Sequence, residues 1–243
     1  MQLFISDTYE TMSAQAAEAV MQKIQSRPNG LLSPASGDSP TGLYKELVNQ
    51  LNNKNTDISD WKFVGLDEWL GMNGEDEGSC RFYLNKQLFN PLHISENNIC
   101  FFDGKAKDLN DECNTIENFI NEHGGIDIAI VGLGLNGHIG MNEPGTSPSL
   151  HSHVAEIDPV TQQVGQKYFK EKTHISKGLT LGIANIMEAR NVILIVSGNK
   201  KAEIVRQILE EEISEQLPSS LLRNHQNFSV YLDTEAASLL EKK

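Results

Sequence analysis

The stretch 126–147, IDIAIVGLGLNGHIGMNEPGTS, decides how the rest of the chain is interpreted. It begins with the apolar run 128–131, which is typical of a strand buried on both faces. Three glycines end the run, and Asn136, His138 and Glu143 follow within a few residues. Open α/β sheets bind ligands in the crevice beyond the carboxyl ends of their strands. The stretch therefore predicts a buried strand that carries an imidazole and a carboxylate into such a crevice.

Strands and helices alternate along the rest of the chain. Apolar runs predict further strands at 31–35, 63–66, 99–102, 192–196 and 228–232. Helical periodicity predicts helices at 9–26, 40–51, 80–90, 108–122, 160–169, 179–189 and 201–209, with a terminal helix capped by Asp233. This alternation predicts a Rossmann-like α/β fold, a doubly wound and mostly parallel sheet with helices on both faces. No linker or internal repeat interrupts it, so we expect residues 1–243 to form a single domain.

The composition restricts the class of protein. Of the 243 residues, 39% are hydrophobic and 22% are charged, which is ample material for a core. The net charge of −13 argues against a surface for nucleic acid or for an anionic membrane. No apolar run is long enough to cross a membrane, and the first residues lack the pattern of a secretory signal. Because the three cysteines form no CxxC pair, we expect reduced thiols in a cytoplasmic protein.

Four polar segments directly follow predicted strands. They are residues 36–39, 67–68, 134–138 and 197–201. The carboxyl ends of parallel strands lie at the same edge of a sheet, so the sequence predicts that these segments meet in one site. Within them, Asp67 is a candidate for chemistry, whereas Glu68 is interpreted as a helix cap.

The segment 36–39, SGDS, opens a predicted helix with Ser39 as its N-cap. Exposed N–H groups and the helix dipole at such a position suit a phosphate, although for this segment taken alone a plain cap with a glycine turn is the favoured explanation. Asp38 would repel a phosphate unless its side chain turned away. Lys200 and Lys201 begin another predicted helix, where the dipole disfavours cations, so one of them is predicted to face an anion.

Residues 132–137, GLGLNG, also match the dinucleotide-binding pattern GxGxxG. That pattern requires a long helix directly afterwards, whereas glycines and a proline follow here, so this function is disfavoured. An acid/base pair formed by His138 and Glu143 is favoured instead, because imidazole titrates near neutral pH and a carboxylate can orient it. His151 and His153 have a spacing that suits a metal, but no carboxylate or cysteine completes the set, so no metal is predicted.

With these segments in place, the chain resembles the glucosamine-6-phosphate deaminase/isomerase family, in its shorter form, nearly from end to end. The matching segments are YETMSAQAAEAV, LLSPASGDSPTGLYKEL, GLDEWLG, GGIDIAIVGLGLNGHIGMNEPGTS, KGLTLGI, SGNKKAEIV and PSSLLRNHQNFSVYLD. The related 6-phosphogluconolactonases share the Gly-Gly-His core but continue differently. They also have Asp-Glu-Arg where this chain has Asp67-Glu68-Trp69, so the deaminase branch is the better match.

The resemblance implies an aldose–ketose isomerase that also deaminates an amino-sugar 6-phosphate, with either glucosamine 6-phosphate or galactosamine 6-phosphate as substrate. It implies that His138, oriented by Asn136 and Glu143, protonates the ring oxygen and opens the sugar ring. Asp67 would then move the C2 proton to C1, and water would displace ammonia. Neither a metal nor an organic cofactor is implied.

The resemblance also implies how the substrate's phosphate is held. The implied binding residues are Ser36, Gly37, Asp38, Ser39, Gly137 and Lys201. The family usually carries arginines at the positions of His151 and Gln162, and the second of these grips the phosphate. Because this chain lacks both, Arg81 is expected to compensate, and galactosamine 6-phosphate becomes a candidate substrate.

Two other functions stay open at this point. One is lactone hydrolysis, as in the 6-phosphogluconolactonases, and the other is a non-catalytic sugar-phosphate sensor. A sensor that regulates transcription needs a basic face and a helix-turn-helix, and the sequence shows neither.

The larger, allosterically regulated hexameric members of the family carry a C-terminal extension that is not present here. We therefore expect a monomer or a small homo-oligomer that acts on a small molecule, without a nucleic-acid or membrane partner.

Overall fold

The computed structural model describes residues 1–241, and its ten strands form two sheets. The strands are β1 (Gln2–Ser6), β2 (Leu31–Ser33), β3 (Lys62–Val64), β4 (Asp67–Trp69), β5 (Ile99–Cys100), β6 (Ile128–Val131), β7 (His153–Glu156), β8 (Lys177–Thr180), β9 (Val192–Val196) and β10 (Phe228–Asp233). The helices are α1 (Tyr9–Gln25), α2 (Asp38–Asn53), α3 (Cys80–Leu84), α4 (Leu109–Glu122), α5 (Pro159–Gly165), α6 (Ile183–Glu188) and α7 (Ala202–Glu210). A π-helical turn, Asn85–Phe89, continues α3, and a 3-10 turn, Gln166–Tyr168, continues α5.

Seven strands form the main sheet in the order β1-β10-β9-β6-β2-β3-β5, and every neighbouring pair is parallel. In β9, Val192, Leu194 and Val196 face one core, whereas Ile193 and Ile195 face the other. Successive side chains of a strand point to opposite faces, so an unbroken apolar run fits a sheet that is covered on both sides. Helices α1 and α2 cover one face, and α4 and α7 cover the other. The predicted doubly wound parallel sheet is confirmed.

The strand order reverses in the middle of this sheet. From β2 the chain proceeds outward to β3 and β5, returns to β6, and then continues in the opposite direction to β9. Strands β2 and β6 are hydrogen-bonded neighbours, with Leu32 opposite Ile128. Doubly wound sheets bind ligands at such a switch point, where connections leave the carboxyl ends in opposite directions. The topology therefore places residues 36–39 and 132–138 on either side of a crevice.

A smaller antiparallel sheet, in the order β4-β8-β7, corrects two predictions. Residues 67–68 do not simply follow a parallel strand but form β4, in which Asp67 lies opposite Thr180. The predicted helix 179–189 is wrong at its start, because residues 179–180 belong to β8 and α6 begins only at Ile183. Strand β8 pairs with β4 on one side and with β7 on the other. These partners are distant in sequence, so local periodicity carries no signal for the pairing.

The ends of the chain also differ from the predictions. Strand β1 has no counterpart among the predicted strands; it lies at the edge of the main sheet with Leu3 and Ile5 exposed. After β10, residues 234–239 form turns instead of the predicted helix. Asp233 nevertheless caps the first turn, because its carboxylate accepts a hydrogen bond from the backbone N–H of Ala236 at 2.7 Å. Helix α2 begins at Asp38 with Gly37 as N-cap, earlier than the predicted start.

The three cysteines, Cys80, Cys100 and Cys113, are unpaired thiols. Cys80 and Cys113 are buried, and Cys100 is half-buried. None of the helices within residues 1–241 combines the length and the apolar character needed to cross a membrane.

At the end of the sheet away from the crevice, Asp127 ties three segments together. Its buried carboxylate accepts hydrogen bonds from the backbone N–H of Leu31 at 2.8 Å, from Arg190 Nη1 at 2.9 Å and from Arg27.

Asp127→Ala leaves the N–H of Leu31 without a partner and two guanidinium groups without a counter-ion. We expect the free energy of unfolding to fall by about 2–3 kcal/mol. Urea denaturation measures this, with Glu156→Ala as control, because the Glu156–Lys177 pair is exposed; equal losses would contradict the prediction.

Candidate active site

A cleft of about 890 Å³ opens at the switch point of the main sheet. All four predicted polar segments contribute to its lining, through residues 36–39, Asp67, residues 132–135 with His138, and residues 197–201. The remaining side is formed by α5 and the 3-10 turn after it, including Thr161, Lys167 and Tyr168. Its volume lies at the upper end of the range of small-molecule sites, roughly 300–1,000 Å³. The cleft is therefore large enough to enclose a sugar phosphate.

Asp67 is a buried carboxylate that faces the cleft. Only 8% of the surface of Asp67 is exposed to solvent. Its Oδ1 has no hydrogen-bond partner among the described residues. Burial raises the pKa of Asp67 to about 6, and the nearby Cys80 and His138 oppose this only in part. A carboxylate with a raised pKa is a stronger base than a solvated one, and Asp67 belongs to the lining of the cleft. Asp67 is thus equipped to act as a general base.

The neighbouring Glu68 has a structural task. Its carboxylate accepts hydrogen bonds from the backbone N–H groups of Trp69 at 2.8 Å, Cys80 at 2.9 Å and Arg81 at 3.0 Å. Two of these groups belong to the first turn of α3. Glu68 is fully buried, and burial raises its pKa to about 7 against the opposing effect of these N–H donors. The interpretation of Glu68 as a helix cap is confirmed, and the cap fixes α3 against β4 directly beside Asp67.

Asn136, His138 and Glu143 form a hydrogen-bonded chain. His138 Nδ1 lies 2.7 Å from Asn136 Oδ1, and Asn136 Nδ2 donates to Glu143 Oε2 at 2.8 Å. The same Glu143 oxygen lies 3.5 Å from His138 Nδ1. Burial alone raises the pKa of Glu143, but its hydrogen bond with His138 and the attraction between them bring it below the ordinary value. Because an amide oxygen only accepts, Asn136 fixes the proton on Nδ1 and leaves the lone pair on Nε2.

The glycines of this stretch allow the imidazole to pack closely. A Cβ atom on Gly134 would overlap the His138 ring. The backbone N–H of Gly134 donates to His138 O at 3.0 Å, which closes the turn between the two residues. No helix follows this turn; residues 139 and 142 form an isolated bridge instead. The geometry agrees with the rejection of dinucleotide binding.

Thr161 is a further contact of His138 for which the sequence contains no signal. Its Oγ1 lies 3.0 Å from His138 Nδ1, on a helix that packs beside the cleft. The segment containing Thr161 shows only ordinary helical periodicity, and its approach to the imidazole depends on the packing of α5 against the small sheet. Thr161 therefore adds a second hydrogen-bond partner that restrains the ring.

At the far end of the cleft, two elements suit an anion. Helix α2 begins there, and its N-cap Gly37, at φ 114°, provides no side-chain cap. The N–H groups of a helix's first turn have no partner within the helix and attract anions. Lys201 also lines the cleft and donates a hydrogen bond to the backbone oxygen of Leu133. Burial, followed by the charge of Lys167, lowers the pKa of Lys201 to about 8.

The structure does not bring two of the predicted binding residues into the cleft. Arg81 lies outside the cleft lining, and its guanidinium contacts Glu96 at 2.7 Å and Asn85 at 2.7 Å while it stacks near Phe89 and Phe101. Its predicted contact with phosphate is therefore not supported. The N–H of Gly137 is already used, because it donates to the backbone oxygen of Gly134 at 3.2 Å.

His151 and Gln162, which stand where the family usually has arginines, also lie outside the cleft lining. His151 pairs with Glu188 at 3.1 Å, and Gln162 Nε2 donates to the backbone oxygen of Ile157 at 2.8 Å. Lys167 does line the cleft, although it was not among the predicted residues. It lies in the 3-10 turn that follows α5, so neither a motif nor helical periodicity points to it.

The comparisons with known proteins agree with this geometry. Residues 6–231 match the family model of glucosamine-6-phosphate isomerases/6-phosphogluconolactonase. The chain is 34% identical over 242 residues to a glucosamine-6-phosphate deaminase of Clostridium perfringens, covering 99% of this chain and 100% of the relative. It is 36% identical over 241 residues to a glucosamine-6-phosphate deaminase of Geobacillus sp., covering 99% and 96%.

Solved structures show the same relationship. A monomeric glucosamine-6-phosphate deaminase superposes with a TM-score of 0.95 at 36% identity, covering 98% of this chain and 100% of that one. The 6-phosphogluconolactonase of Leishmania guyanensis superposes with a TM-score of 0.76 at 21% identity, covering 99% of each chain, and so shows the shared fold alone. The chain belongs to the family of glucosamine-6-phosphate isomerases and 6-phosphogluconolactonases.

Proposed function

We propose that the chain is an isomerase and deaminase that converts an amino-sugar 6-phosphate, either glucosamine 6-phosphate or galactosamine 6-phosphate, into the ketose 6-phosphate and ammonia. One observation carries the proposal. The cleft presents a buried, unengaged carboxylate, Asp67, together with an imidazole, His138, whose proton is held on Nδ1. The full-length similarity to glucosamine-6-phosphate deaminases supports the same activity.

The first proposed step is the opening of the sugar ring by His138. Nδ1 is engaged by Asn136, so Nε2 accepts the proton of the C1 hydroxyl and delivers it to the ring oxygen. The C1–O5 bond breaks, and C1 becomes an aldehyde. The imidazolium that forms in between is stabilised by Glu143, whose carboxylate lies 3.5 Å from Nδ1. Asn136 carries no charge, so the negative charge beside His138 in this hydrogen-bonded group comes from Glu143.

The second step is isomerisation by Asp67. The carboxylate removes the proton from C2, and the electron pair of the C–H bond forms a C1=C2 double bond. The C1 oxygen takes a proton from the substrate's own C2 ammonium group, which becomes the amino group of an enolamine. The resulting enolamine then takes a proton at C1 from Asp67, which leaves an iminium group at C2. Water adds to C2 and ammonia leaves, which gives the ketose. Side chains of this protein carry the proton transfers at the ring oxygen, at C2 and at C1, and the proposal includes neither a metal nor a cofactor.

We propose that the phosphate of the substrate lies at the N-terminus of α2, on residues 36–39, with Lys201 beside it. The uncapped first turn of α2 and the ammonium group of Lys201 support this position. The net charge of −13 opposes anion binding in general, so these local donors have to overcome the field of the whole protein.

The pH dependence follows from Asp67. Its pKa of about 6 means that the carboxylate is ionised above pH 6 and protonated below it. A protonated carboxyl cannot accept the C2 proton, so kcat/KM should fall about tenfold for each pH unit below 6. Steady-state rates between pH 4.5 and 8 measure this, with circular dichroism to confirm that the protein stays folded. An acid limb centred at the ordinary carboxyl pKa, near 4, would contradict the role of burial.

The decisive experiment offers purified protein glucosamine 6-phosphate and galactosamine 6-phosphate in parallel and measures ammonia with a coupled reductive dehydrogenase. Release of ammonia from either sugar supports the proposal, and the ratio of the two kcat/KM values identifies the preferred epimer. If folded protein releases none from both, the proposal fails. Hydrolysis of 6-phosphogluconolactone without ammonia would then assign the chain to the lactonase activity.

We propose that the enzyme works as a monomer or a small homo-oligomer in the cytoplasm and takes only a small molecule as its partner. The similarity to a solved deaminase that is itself monomeric supports the first part. The unpaired thiols of Cys80, Cys100 and Cys113 support a reducing compartment. Sedimentation velocity on the purified protein measures the assembly state.

A further inference from the structure

The direct contact between the imidazole of His138 and the carboxylate of Glu143 is long. Glu143 Oε2 lies 3.5 Å from His138 Nδ1, whereas an N–H···O hydrogen bond normally measures about 2.7–3.2 Å. Asn136 bridges the gap on one side, because its Oδ1 lies 2.7 Å from Nδ1 and its Nδ2 donates to Glu143 at 2.8 Å. Any other group that accepts from Nδ1 and donates to Glu143 connects the pair a second time.

Thr161 brings such a group from a different part of the chain. Its Oγ1 lies 3.0 Å from His138 Nδ1, and the residue belongs to α5. Only 8% of the surface of Thr161 is exposed, and the residue lines the cleft. Because Nδ1 carries the proton, the oxygen of Thr161 accepts a share of this hydrogen bond. The hydrogen of the hydroxyl then remains available for a different acceptor.

The acceptor for this hydrogen is Glu143. Burial raises the pKa of Glu143, and its contacts with His138, Asn136 and the hydroxyl of Thr161 together bring it below the ordinary value. Hydrogen bonds that are donated to a carboxylate favour its charged form. The hydroxyl of Thr161 therefore connects the imidazole to the carboxylate in parallel with the amide of Asn136.

We propose that Thr161 is a positioning residue for the opening of the sugar ring, whose hydroxyl accepts from Nδ1 of His138 and donates to Glu143. When Nε2 takes the proton of the C1 hydroxyl, the imidazolium has a more strongly polarised Nδ1–H, and hydrogen bonds from a charged donor are the stronger ones. The second bridge also fixes the plane of the ring, so that Nε2 keeps its direction towards the substrate. The link to ring opening rests on the proposed function, whereas the bridge itself belongs to the free enzyme.

Two substitutions separate the hydroxyl of Thr161 from its methyl group. Thr161→Val keeps the shape and removes the hydroxyl, so we expect kcat for ammonia release to fall about 10-fold while KM changes little. Thr161→Ser keeps the hydroxyl and should retain most of kcat. Thr115→Val is the matched control, because Thr115 is an exposed threonine of α4 outside the cleft lining, and it should leave both constants unchanged.

Two outcomes of these kinetics overturn the proposal. If Thr161 only packs α5 beside the cleft, valine is the better replacement and serine the worse, which reverses the expected order. If Thr161 instead binds the substrate directly, Thr161→Val raises KM and leaves kcat unchanged.

An isotope effect identifies the step that Thr161 serves. With substrate deuterated at C2, Thr161→Val should show a smaller primary isotope effect than the wild type, because ring opening limits the rate more strongly in this variant. A larger isotope effect would place the defect at the C2 proton transfer by Asp67, and that result also overturns the proposal.

A measurement without substrate keeps the test independent of turnover. Proton–nitrogen NMR spectra of protein with isotope-labelled histidine detect the Nδ1–H of His138, whose signal is identified by its absence in His138→Gln. We expect this signal to be retained in Thr161→Ser, and to move upfield or broaden by exchange with water in Thr161→Val. An unchanged signal in Thr161→Val overturns the bridge. The expected NMR result without any ammonia release by the wild type would instead count against the proposed function alone.

Discussion

Replacing Asp67 by asparagine is expected to lower kcat for ammonia release by about 10²–10⁴-fold, the usual contribution of a general base, while KM changes little. Asparagine has nearly the same shape as aspartate but cannot accept the C2 proton. The other carboxylates of the cleft lining within residues 1–241, Asp38 and Glu235, are exposed, whereas Asp67 is buried.

The same substitution should not destabilise the protein. Burial raises the pKa of Asp67, so above pH 6 the folded state has to hold a charge that the unfolded chain would solvate. A raised carboxyl pKa therefore costs stability at neutral pH, and removing the charge removes that cost. We expect the thermal midpoint of Asp67→Asn to equal or exceed that of the wild type. Asp57→Asn, an exposed aspartate outside the cleft, is the matched control and should leave kcat unchanged. Near-normal ammonia release by Asp67→Asn would refute the assignment of the base.

The second large effect is expected for His138→Gln. Glutamine cannot carry a proton from the C1 hydroxyl to the ring oxygen, so kcat on the cyclic substrate should fall by about 10²–10⁴-fold. His123→Gln is the control, because His123 ends α4 and lies outside the cleft lining. Ammonia release from the preferred amino-sugar 6-phosphate measures both variants.

A kinetic isotope effect separates the role of His138 from that of Asp67. With substrate deuterated at C2, the His138→Gln variant should show little or no primary isotope effect, because ring opening then limits the rate before the C–H bond breaks. A full isotope effect in this variant would mean that His138 participates in the C2 proton transfer instead. The assignment of ring opening to His138 would then be wrong.

Parts of the fold could be predicted because their signals are local. Successive residues of the run Val192–Val196 are buried in two different cores, one on each face of the sheet. Only a strand that lies between two helical layers satisfies such a pattern. Helix α4 is another case, since Asp108 caps its first turn by accepting from the N–H groups of Asn110 and Asp111. Such signals lie within a few residues of the element they specify.

Other parts could not be predicted because distant segments decide them. Residues Lys177–Thr180 form a strand through their pairing with β4 and β7, although the surrounding sequence is equally compatible with a helix. Residues 234–239 form turns, although their apolar spacing suggests a helix. In both cases tertiary contacts outweigh a weak local preference for helix. That preference amounts to roughly a fraction of a kcal/mol per residue.

The candidate site divides in the same way. The sequence by itself determined the chemical groups, Asp67 and the Asn136–His138–Glu143 chain, because each follows an apolar strand and the ends of parallel strands meet at one edge. Only the tertiary structure decided which cations reach the cleft: Lys167 lies in it, whereas Arg81 is bound to Glu96 outside it. The reason is physical. The position of a strand end is set by the backbone, whereas the direction of a long charged side chain depends on the partners that packing brings within its reach.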